Sequence, residues 1–350
     1  MVCFRIDESG YTGFDLLNPE QRFQGATAIA INDDDAAALI RHHFPRLQAP
    51  ELKYSSLSRR PSNHDRLLGL LRDMLAEYRS VTYVCDKRFL LTLMFLDYAA
   101  EPYYYERGVN FYENGRNFTL GSILFQAGPS LLGDGLFDQL IAAFQRAMKE
   151  KTPEALGDLV GAARRTNWRE LPEALGPIAN AAPECLATIA TPGVTTDAAM
   201  VVLQGLIGRM EMMSDGPYRV EHDQSKNLET YHGLIQKLIA HDAKVEFRSS
   251  EIATLKFPLK LTGVVQVNSV ASPAVQLADV LVGATLEMAN TLAHLRKGGL
   301  DPERGTPLYR EDQIIYLAPS MDVTEQRRFR AGSQGGEMID YFSANFGTHT

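Results

Sequence analysis

The sequence predicts an α/β fold built around one mixed β-sheet, with flanking helices and a large helical insertion. Short runs rich in β-branched residues lie near both ends of the chain, segments with helical periodicity follow them, and residues 89–215 are helical in pattern throughout. At 350 residues the chain is long enough for one large domain or two ordinary ones. We therefore predict a core formed by 1–88 and 216–320, an inserted helical block at 89–215, and a polar C-terminal tail at 321–350.

The N-terminal elements form a predicted β-meander. Glycines and an Asn-Pro pair separate the first two apolar runs, which is typical of a hairpin with a long loop, and three aspartates at 33–35 favour a helix start. The predicted elements are strands at 2–6 and 25–31, a helix at 33–43, a possible short third strand at 51–54, a helix beginning at 62 and a strand at 81–85.

Strand character returns after the insertion. We predict strands at 218–222, 244–249 and 263–268, helices at 227–241 and 273–296, and a last edge strand within 312–318. A meander followed by strand–helix alternation, with an inserted helical block, is the element order of an RNase H-like fold.

Composition and charge exclude several classes of protein. The chain carries 35 Lys and Arg against 43 Asp and Glu, a net charge of −8, which argues against coating nucleic acid through a basic surface. Cys3, Cys85 and Cys185 have no Cys-x-x-Cys spacing and predict neither a disulfide framework nor a zinc knuckle. No signal peptide or membrane-length apolar stretch is present, so we expect a cytoplasmic protein with no membrane partner.

Two segments of the chain carry the strongest chemical signals. Asp7 and Glu8 stand at the end of the first apolar strand, where a carboxylate can project into a cleft, although turn residues are an equally open interpretation. In the apolar helix beginning at Pro273, Gln276, Asp279 and Gly283 fall on one stripe. An ionised Asp in so apolar a helix must be paired, metal-bound or at the rim of a cleft, because an unpaired buried charge costs several kcal/mol.

Asp223 and Asp86 are candidates for the same reason as Asp7, since each stands at the end of a predicted core strand. If these strands lie in one sheet, their carboxylates converge with that of Asp279 and repel one another unless a divalent cation is bound. Oxygen ligands favour Mg²⁺ or Mn²⁺, and two such ions can clamp the attacking and leaving oxygens of a phosphodiester. Asp7, Asp223 and Asp279 are the predicted metal ligands.

Three motifs together resemble a known family. Asp7-Glu8-Ser9-Gly10, Glu51-Leu-Lys53, and Asn268-Ser269 leading into Gln276-Leu-Ala-Asp279 are similar to a prokaryotic family known as domain of unknown function 3800 (DUF3800). The resemblance implies an RNase H-like fold and metal-dependent nuclease activity, and it carries Asp7, Glu8 and Asp279 over as site residues. It also favours a phosphate-contacting role for Lys53 over the alternative, a pairing near Glu51 on a surface strand.

Two functional hypotheses from different classes follow. In the first, the protein is a Mg²⁺- or Mn²⁺-dependent nuclease that cuts RNA or DNA; Glu8 or Asp86 completes the site, and Lys53 and Gln276 position phosphate. In the second, it is a non-catalytic RNase H-like scaffold that recognises a protein or nucleic acid through the helical block. A phosphatase acting on a small phosphate ester with the same metals is a third alternative. Tyr103, Tyr104 and Tyr105 could stack on unpaired bases or pack the insertion.

Overall fold

A mixed six-stranded sheet organises the molecule. The computed structural model describes residues 1–224 and 226–346, and the sheet has the strand order β7-β4-β1-β2-β3-β8. Strand β2 runs antiparallel to β1 and β3, whereas the pairs β1–β4, β4–β7 and β3–β8 are parallel. The strands of the chain are β1 (Val2–Ser9), β2 (Phe23–Ile29), β3 (Ser80–Asp86), β4 (Tyr218–His222), β5 (Val245–Ser250), β6 (Ala253–Phe257), β7 (Leu261–Gln266) and β8 (Ile314–Leu317).

Helices cover both faces of this sheet and fill the segment between β3 and β4. They are α1 (Asp33–His43), α2 (Tyr54–Leu57), α3 (His64–Glu77), α4 (Lys87–Ala99), α5 (Glu101–Tyr105), α6 (Arg116–Leu131), α7 (Leu136–Glu150), α8 (Pro153–Arg165), α9 (Pro172–Ala179), α10 (Pro183–Ala190), α11 (Ala198–Met213), α12 (Lys226–Ala240), α13 (Pro273–Leu292), α14 (Pro302–Gly305), α15 (Val323–Phe329) and α16 (Gly335–Phe346). None of the helices in the described part of the chain combines the length and apolarity needed to cross a membrane.

The two faces of the sheet have different partners. Helix α13 crosses β1 and β2 on one face, with α1 and α3 packed beside it. Helix α11 covers β2 and β3 on the other face, together with the separate two-stranded hairpin β5–β6. We call these the α13 face and the α11 face.

Side-chain alternation along β1 assigns its residues to these faces. Phe4 and Ile6 are buried in the apolar core on the α11 face. Arg5, between them, points to the α13 face and forms ion pairs with Asp33 of α1 and Glu221 of β4. Because successive side chains of a strand point to opposite faces, Asp7 lies on the same side as Arg5.

The helical block predicted at 89–215 is helical as expected but shares its core with the sheet. Helix α4 begins at Lys87, directly after β3, and α11 packs on β2 and β3. One hydrophobic cluster includes Ile6 of β1, Phe95 of α4 and Phe144 of α7. The predicted boundaries at 88/89 and 215/216 therefore lie within one continuous core.

Three local predictions need correction or completion. Residues 51–54 do not form a third strand; they are irregular until α2 begins at Tyr54. The hairpin strand β6 was not predicted. The tail after 320 forms α15 and α16, and Tyr341 and Phe346 of α16 pack against Phe257 of β6, while residues 347–350 lie outside the described part. The predicted edge strand within 312–318 is confirmed as β8.

Candidate active site

Asp7, two residues before the end of β1, and Asp223, directly after β4, are neighbours because β1 and β4 run parallel; β1 extends to Ser9 and not to residue 6 as predicted. In the register of β1 and β4, Ile6 pairs with His222, and the backbone N–H of Asp223 donates to the carbonyl of Ile6 at 3.3 Å. The next residue of each strand carries the carboxylate. Parallel pairing of β1 with β4 thus brings together two acidic residues from opposite ends of the chain.

Helix α13 adds Asp279 to this pair from the covering layer. Burial, together with the negative charges of Asp279 and Asp223, raises the pKa of Asp7 to about 8. Burial also raises the pKa of Asp279, although the Tyr54 backbone N–H that donates to it and the Lys53 ammonium oppose this shift. Three carboxylates from β1, β4 and α13 therefore form one electrostatically coupled cluster, which we call the acidic cluster.

Lys53 supplies the positive charge beside the acidic cluster. Its ammonium lies 3.8 Å from a carboxylate oxygen of Asp223 and 2.9 Å from Glu51. Partial burial disfavours the charged form, but the carboxylates of Glu51, Asp279 and Asp7 raise the pKa of Lys53 overall. Glu51 was not predicted as a site residue, although it stands two positions before Lys53 in the motif that carried the resemblance.

Residues 51–54 form a short segment, here called the strap, that docks on the polar stripe of α13. The backbone N–H of Leu52 donates to the Gln276 side chain at 2.8 Å, and that of Tyr54 donates to Asp279 at 2.7 Å. A Cβ atom on Gly283 would lie only 2.5 Å from the Tyr54 ring, so this helix position must be glycine for the ring to pack here. The polar stripe of α13 therefore binds the strap, and the strap in turn places Lys53 beside the acidic cluster.

Gln276 has a positioning role in this arrangement. It is 5% exposed, its carbonyl oxygen accepts from Leu52, and its amide nitrogen donates to the carbonyl of Ser269 at 2.7 Å. Both ends of the amide are therefore occupied by backbone groups. The prediction that Gln276 positions phosphate is replaced by a different one: Gln276 fixes the strap against the turn that precedes α13.

The turn before α13 also orients Asp223. One oxygen of the Asp223 carboxylate accepts from the backbone N–H groups of Gln224 at 2.8 Å and Ser269 at 3.3 Å. Asn268 caps the single 3-10 turn Ser269–Ala271, which leads into α13. The Asn268-Ser269 motif therefore connects the carboxylate of β4 to the helix that carries Asp279.

Glu8 lies on the opposite side of the sheet from the acidic cluster. It lines a small cavity on the α11 face with Ile6, and Tyr231 of α12 also contributes to that cavity. Adjacent strand residues cannot share a face, so the structure separates Glu8 from Asp7. The predicted role of Glu8 in completing the metal shell does not fit this placement.

The Asp86 carboxylate has its partners outside the acidic cluster. Its carboxylate forms a two-point ion pair with Arg22, with both nitrogen–oxygen distances at 2.6 Å. It also caps α4 by accepting from the backbone N–H groups of Arg88 and Phe89 at 3.1 Å. These contacts explain a buried strand-end Asp structurally, so Asp86 is placed as a helix cap and not as a member of the acidic cluster.

The residues of the acidic cluster fit a hard divalent cation in their chemistry. Asp7, Asp223 and Asp279 offer only oxygen atoms, and their mutual repulsion is relieved when a cation binds. Their spacing is wider than one compact coordination shell: within residues 1–224 and 226–346, only His42, His43 and Asp73 place three potential ligand atoms within 4.8 Å of one another. That group is explained by the His43–Asp73 ion pair at 2.7 Å, which ties α1 to α3.

Two of the three residues in the tyrosine run, Tyr103 and Tyr104, contact other residues of the helical block. The Tyr103 ring is covered by the Arg107 guanidinium at 3.5 Å, and Tyr104 stacks on Phe111 and donates to the Glu173 carbonyl at 3.1 Å. Tyr105 is exposed and lines a cavity of about 920 Å³ whose other lining residues include Glu101, Glu106, Glu184, Glu337 and Asp340. This negative lining does not favour stacking of nucleic-acid bases on Tyr105.

Comparison of the chain with protein-family models, with curated proteins and with solved structures finds no match in any of the three.

Proposed function

We propose that the protein is a Mg²⁺- or Mn²⁺-dependent nuclease of RNase H-like fold that hydrolyses phosphodiester bonds in RNA or DNA. The single observation that carries this proposal is the acidic cluster itself. Asp7, Asp223 and Asp279 come from three distant segments, and burial of Asp7 beside the other two carboxylates raises its pKa to about 8, which destabilises the fold at neutral pH in the absence of a cation. Proteins keep such costly arrangements mainly at functional sites.

The arrangement of the sheet supports the RNase H-like part of the proposal. The antiparallel meander β1–β2–β3 is followed along the chain by β4 and β7, which lie in parallel on the β1 side of the sheet. The resemblance to DUF3800 points the same way, because its three motifs meet at one site: the residues around Asp7, the strap and the start of α13 are in mutual contact.

Each residue of the site has a defined part in the proposed reaction. Asp7, Asp223 and Asp279 would hold the metal, and one oxygen of Asp279 stays bonded to the strap while the other is available. A bound divalent ion lowers the pKa of its water and polarises the phosphoryl oxygen. Lys53, whose side chain is 36% exposed, stands where it can bind a phosphate oxygen once a cation neutralises its present carboxylate partners.

The test is cleavage of labelled RNA and DNA, single- and double-stranded, with Mn²⁺, Mg²⁺ or EDTA. We expect cleavage by the wild type with metal only, and a loss of at least about 100-fold in Asp7→Asn and Asp279→Asn, since metal ligands are shared by every step of the reaction. Asp86→Asn is the matched control, because it removes a strand-end carboxylate outside the acidic cluster. Cleavage that persists in both Asp7→Asn and Asp279→Asn contradicts the proposal.

The scaffold hypothesis gives a different result in a thermal melt. A real carboxylate site stabilises the fold by mass action when metal binds, so the nuclease proposal requires Mn²⁺ to raise the Tm of the wild type but not that of Asp7→Asn. A Tm unaffected by millimolar Mn²⁺, together with nucleic-acid binding but no cleavage, favours the non-catalytic scaffold.

A further inference from the structure

Arg330, just beyond the end of α15, holds a guanidinium without a polar partner. Among the described residues, no carboxylate lies within ion-pair distance of it and its side chain donates no hydrogen bond, while its Nε atom is fully shielded from solvent. The guanidinium stacks on the ring of Phe118 at 3.9 Å, and the aliphatic part of the side chain packs on Gly115, where a Cβ atom would lie 2.7 Å from it. Burial lowers the pKa of Arg330 to about 10. Arg330 is half-buried, and among the described residues no anion lies beside its guanidinium.

Arg330 lines a cavity of about 160 Å³ on the α11 face of the sheet. Residues of β3, β5, β6, β8, α11, α15 and α16 form the rest of its wall, and none of the lining residues is acidic. Arg330 is the only charged residue of the lining. The cavity therefore has a positive potential and is large enough for a phosphate group with a few waters.

Other hydrogen-bond donors of this cavity are also poorly used. The amide nitrogen of Gln204 and the hydroxyl of Ser249 have only the thioether sulfur of Met338 as a partner, at 3.2 and 3.9 Å. The Ser250 hydroxyl oxygen accepts from the Ile252 backbone N–H at 3.4 Å, which leaves its own hydrogen free to donate. Tyr83 lies close enough for the Arg330 charge to influence its hydroxyl. A thioether is a weak acceptor, so the cavity wall contains hydrogen-bond donors that lack a strong acceptor.

We propose that this cavity binds a tetrahedral oxyanion, either inorganic phosphate or the phosphate group of a small monoester. The guanidinium of Arg330 pairs with two of its oxygens, and Gln204, Ser249 and Tyr83 donate to the others. A guanidinium matches the geometry of a phosphate in this two-point fashion. The oxyanion supplies the missing counter-charge, and the site is separate from the acidic cluster because the sheet lies between them.

The proposal is tested by isothermal titration calorimetry and thermal melts of the full chain, with inorganic phosphate and glycerol phosphate as probes. Sodium chloride at matched ionic strength is the reference. We expect about 10 mM phosphate to raise the Tm of the wild type by at least about 2 °C. We expect Arg330→Met to raise the Kd for phosphate at least tenfold and Tyr83→Phe to raise it about threefold or more. Tighter binding of glycerol phosphate than of phosphate assigns the site to a monoester, and the reverse assigns it to the free ion.

Arg328→Met is the matched control, because Arg328 is an exposed arginine in the last turn of α15, two residues before Arg330. General stabilisation by phosphate acts equally on all variants, so only the difference between Arg330→Met and Arg328→Met counts. Arg330→Met replaces an unpaired, half-buried charge with an apolar chain of similar length, and we expect it to fold and to melt no lower than the wild type in phosphate-free buffer. Equal phosphate responses in the two variants, or no calorimetric binding to the wild type at millimolar phosphate, overturn the proposal.

Discussion

Replacing Asp7 by asparagine should make the stability of the metal-free protein less dependent on pH. The pKa of Asp7 is about 8 in the folded protein and 3.8 in an ordinary, solvated carboxyl. The folded state therefore binds this proton more tightly than the unfolded state. The contribution of this proton to wild-type stability is fully present below about pH 4 and is lost as the pH rises toward 8. The asparagine side chain in Asp7→Asn cannot ionise, yet its carbonyl oxygen can still accept from the Glu8 backbone N–H, which donates to Asp7 at 2.8 Å.

The size of the effect follows from the linkage relation. Each pH unit between the two pKa values costs the wild type about 1.4 kcal/mol, so between pH 5 and pH 8 it should lose about 4 kcal/mol relative to Asp7→Asn. Groups far from Asp7 act equally on both proteins and cancel in the difference, whereas Asp279 and Asp223 are coupled to Asp7 and contribute to it. Mn²⁺ should reverse the order at pH 8, because the cation stabilises only the protein that keeps the carboxylate.

Urea unfolding in EDTA at pH 5, 6, 7 and 8 measures this difference directly. Asp34→Asn is the control, because Asp34 is exposed in the first turn of α1 and outside the acidic cluster. Its difference from the wild type should stay constant over the same range. A free-energy difference between Asp7→Asn and the wild type that does not change with pH refutes the reasoning, since Asp7 would then titrate as a solvated carboxyl.

Three further predictions concern residues that hold the site and the sheet in place. Gly283→Ala should destabilise the protein by about 1–3 kcal/mol in urea unfolding by displacing the Tyr54 ring, whereas Gly157→Ala on the open side of α8, with no atom within 4 Å, should be neutral or slightly stabilising. Asp86→Asn should lower stability by about 1–2 kcal/mol through the loss of its ion pair with Arg22, yet keep the full Tm increase with Mn²⁺. Glu211→Ala should cost about 3–5 kcal/mol in urea unfolding, because Glu211 is buried and accepts from the Tyr218 hydroxyl and from two backbone N–H groups where β7 begins; the exposed Glu246→Ala should change nothing measurable.

Sequence periodicity predicted most of the sheet because its strands are continuous apolar runs bounded by turn residues. The predicted strand at 218–222 coincides with β4, and the predicted helix starting at 273 coincides with the start of α13. The same reasoning failed for the strap, where it predicted a strand at 51–54. Leu52 and Tyr54 alternate with polar neighbours as strand residues do, but their backbone N–H groups bond to side chains of α13, a tertiary contact that no local pattern encodes.

The acidic cluster was predictable only in part. A carboxylate at the end of a core strand identified Asp7 and Asp223, and an acidic residue in an apolar helix identified Asp279. The same strand-end rule also selected Asp86, because the sequence does not reveal that Arg22 pairs with it. Strand alternation by itself places Glu8 on the face opposite Asp7, so the adjacency of the two residues in the motif was misleading. Gln276 was recognised as unusual, but its use as a backbone anchor depends on the strap.

Alternate residues of β1 face the apolar core on one side of the sheet and polar partners on the other, so the length of this strand cannot change. Deleting Ile6, for example, would shift the pairing of every preceding residue with β2 and β4 by one position and turn those side chains to the other side of the sheet. Arg5 would then take the place of Ile6 in the apolar layer, and Phe4 would replace Arg5 opposite Glu221. Insertions and deletions are thus forbidden in this strand by folding alone.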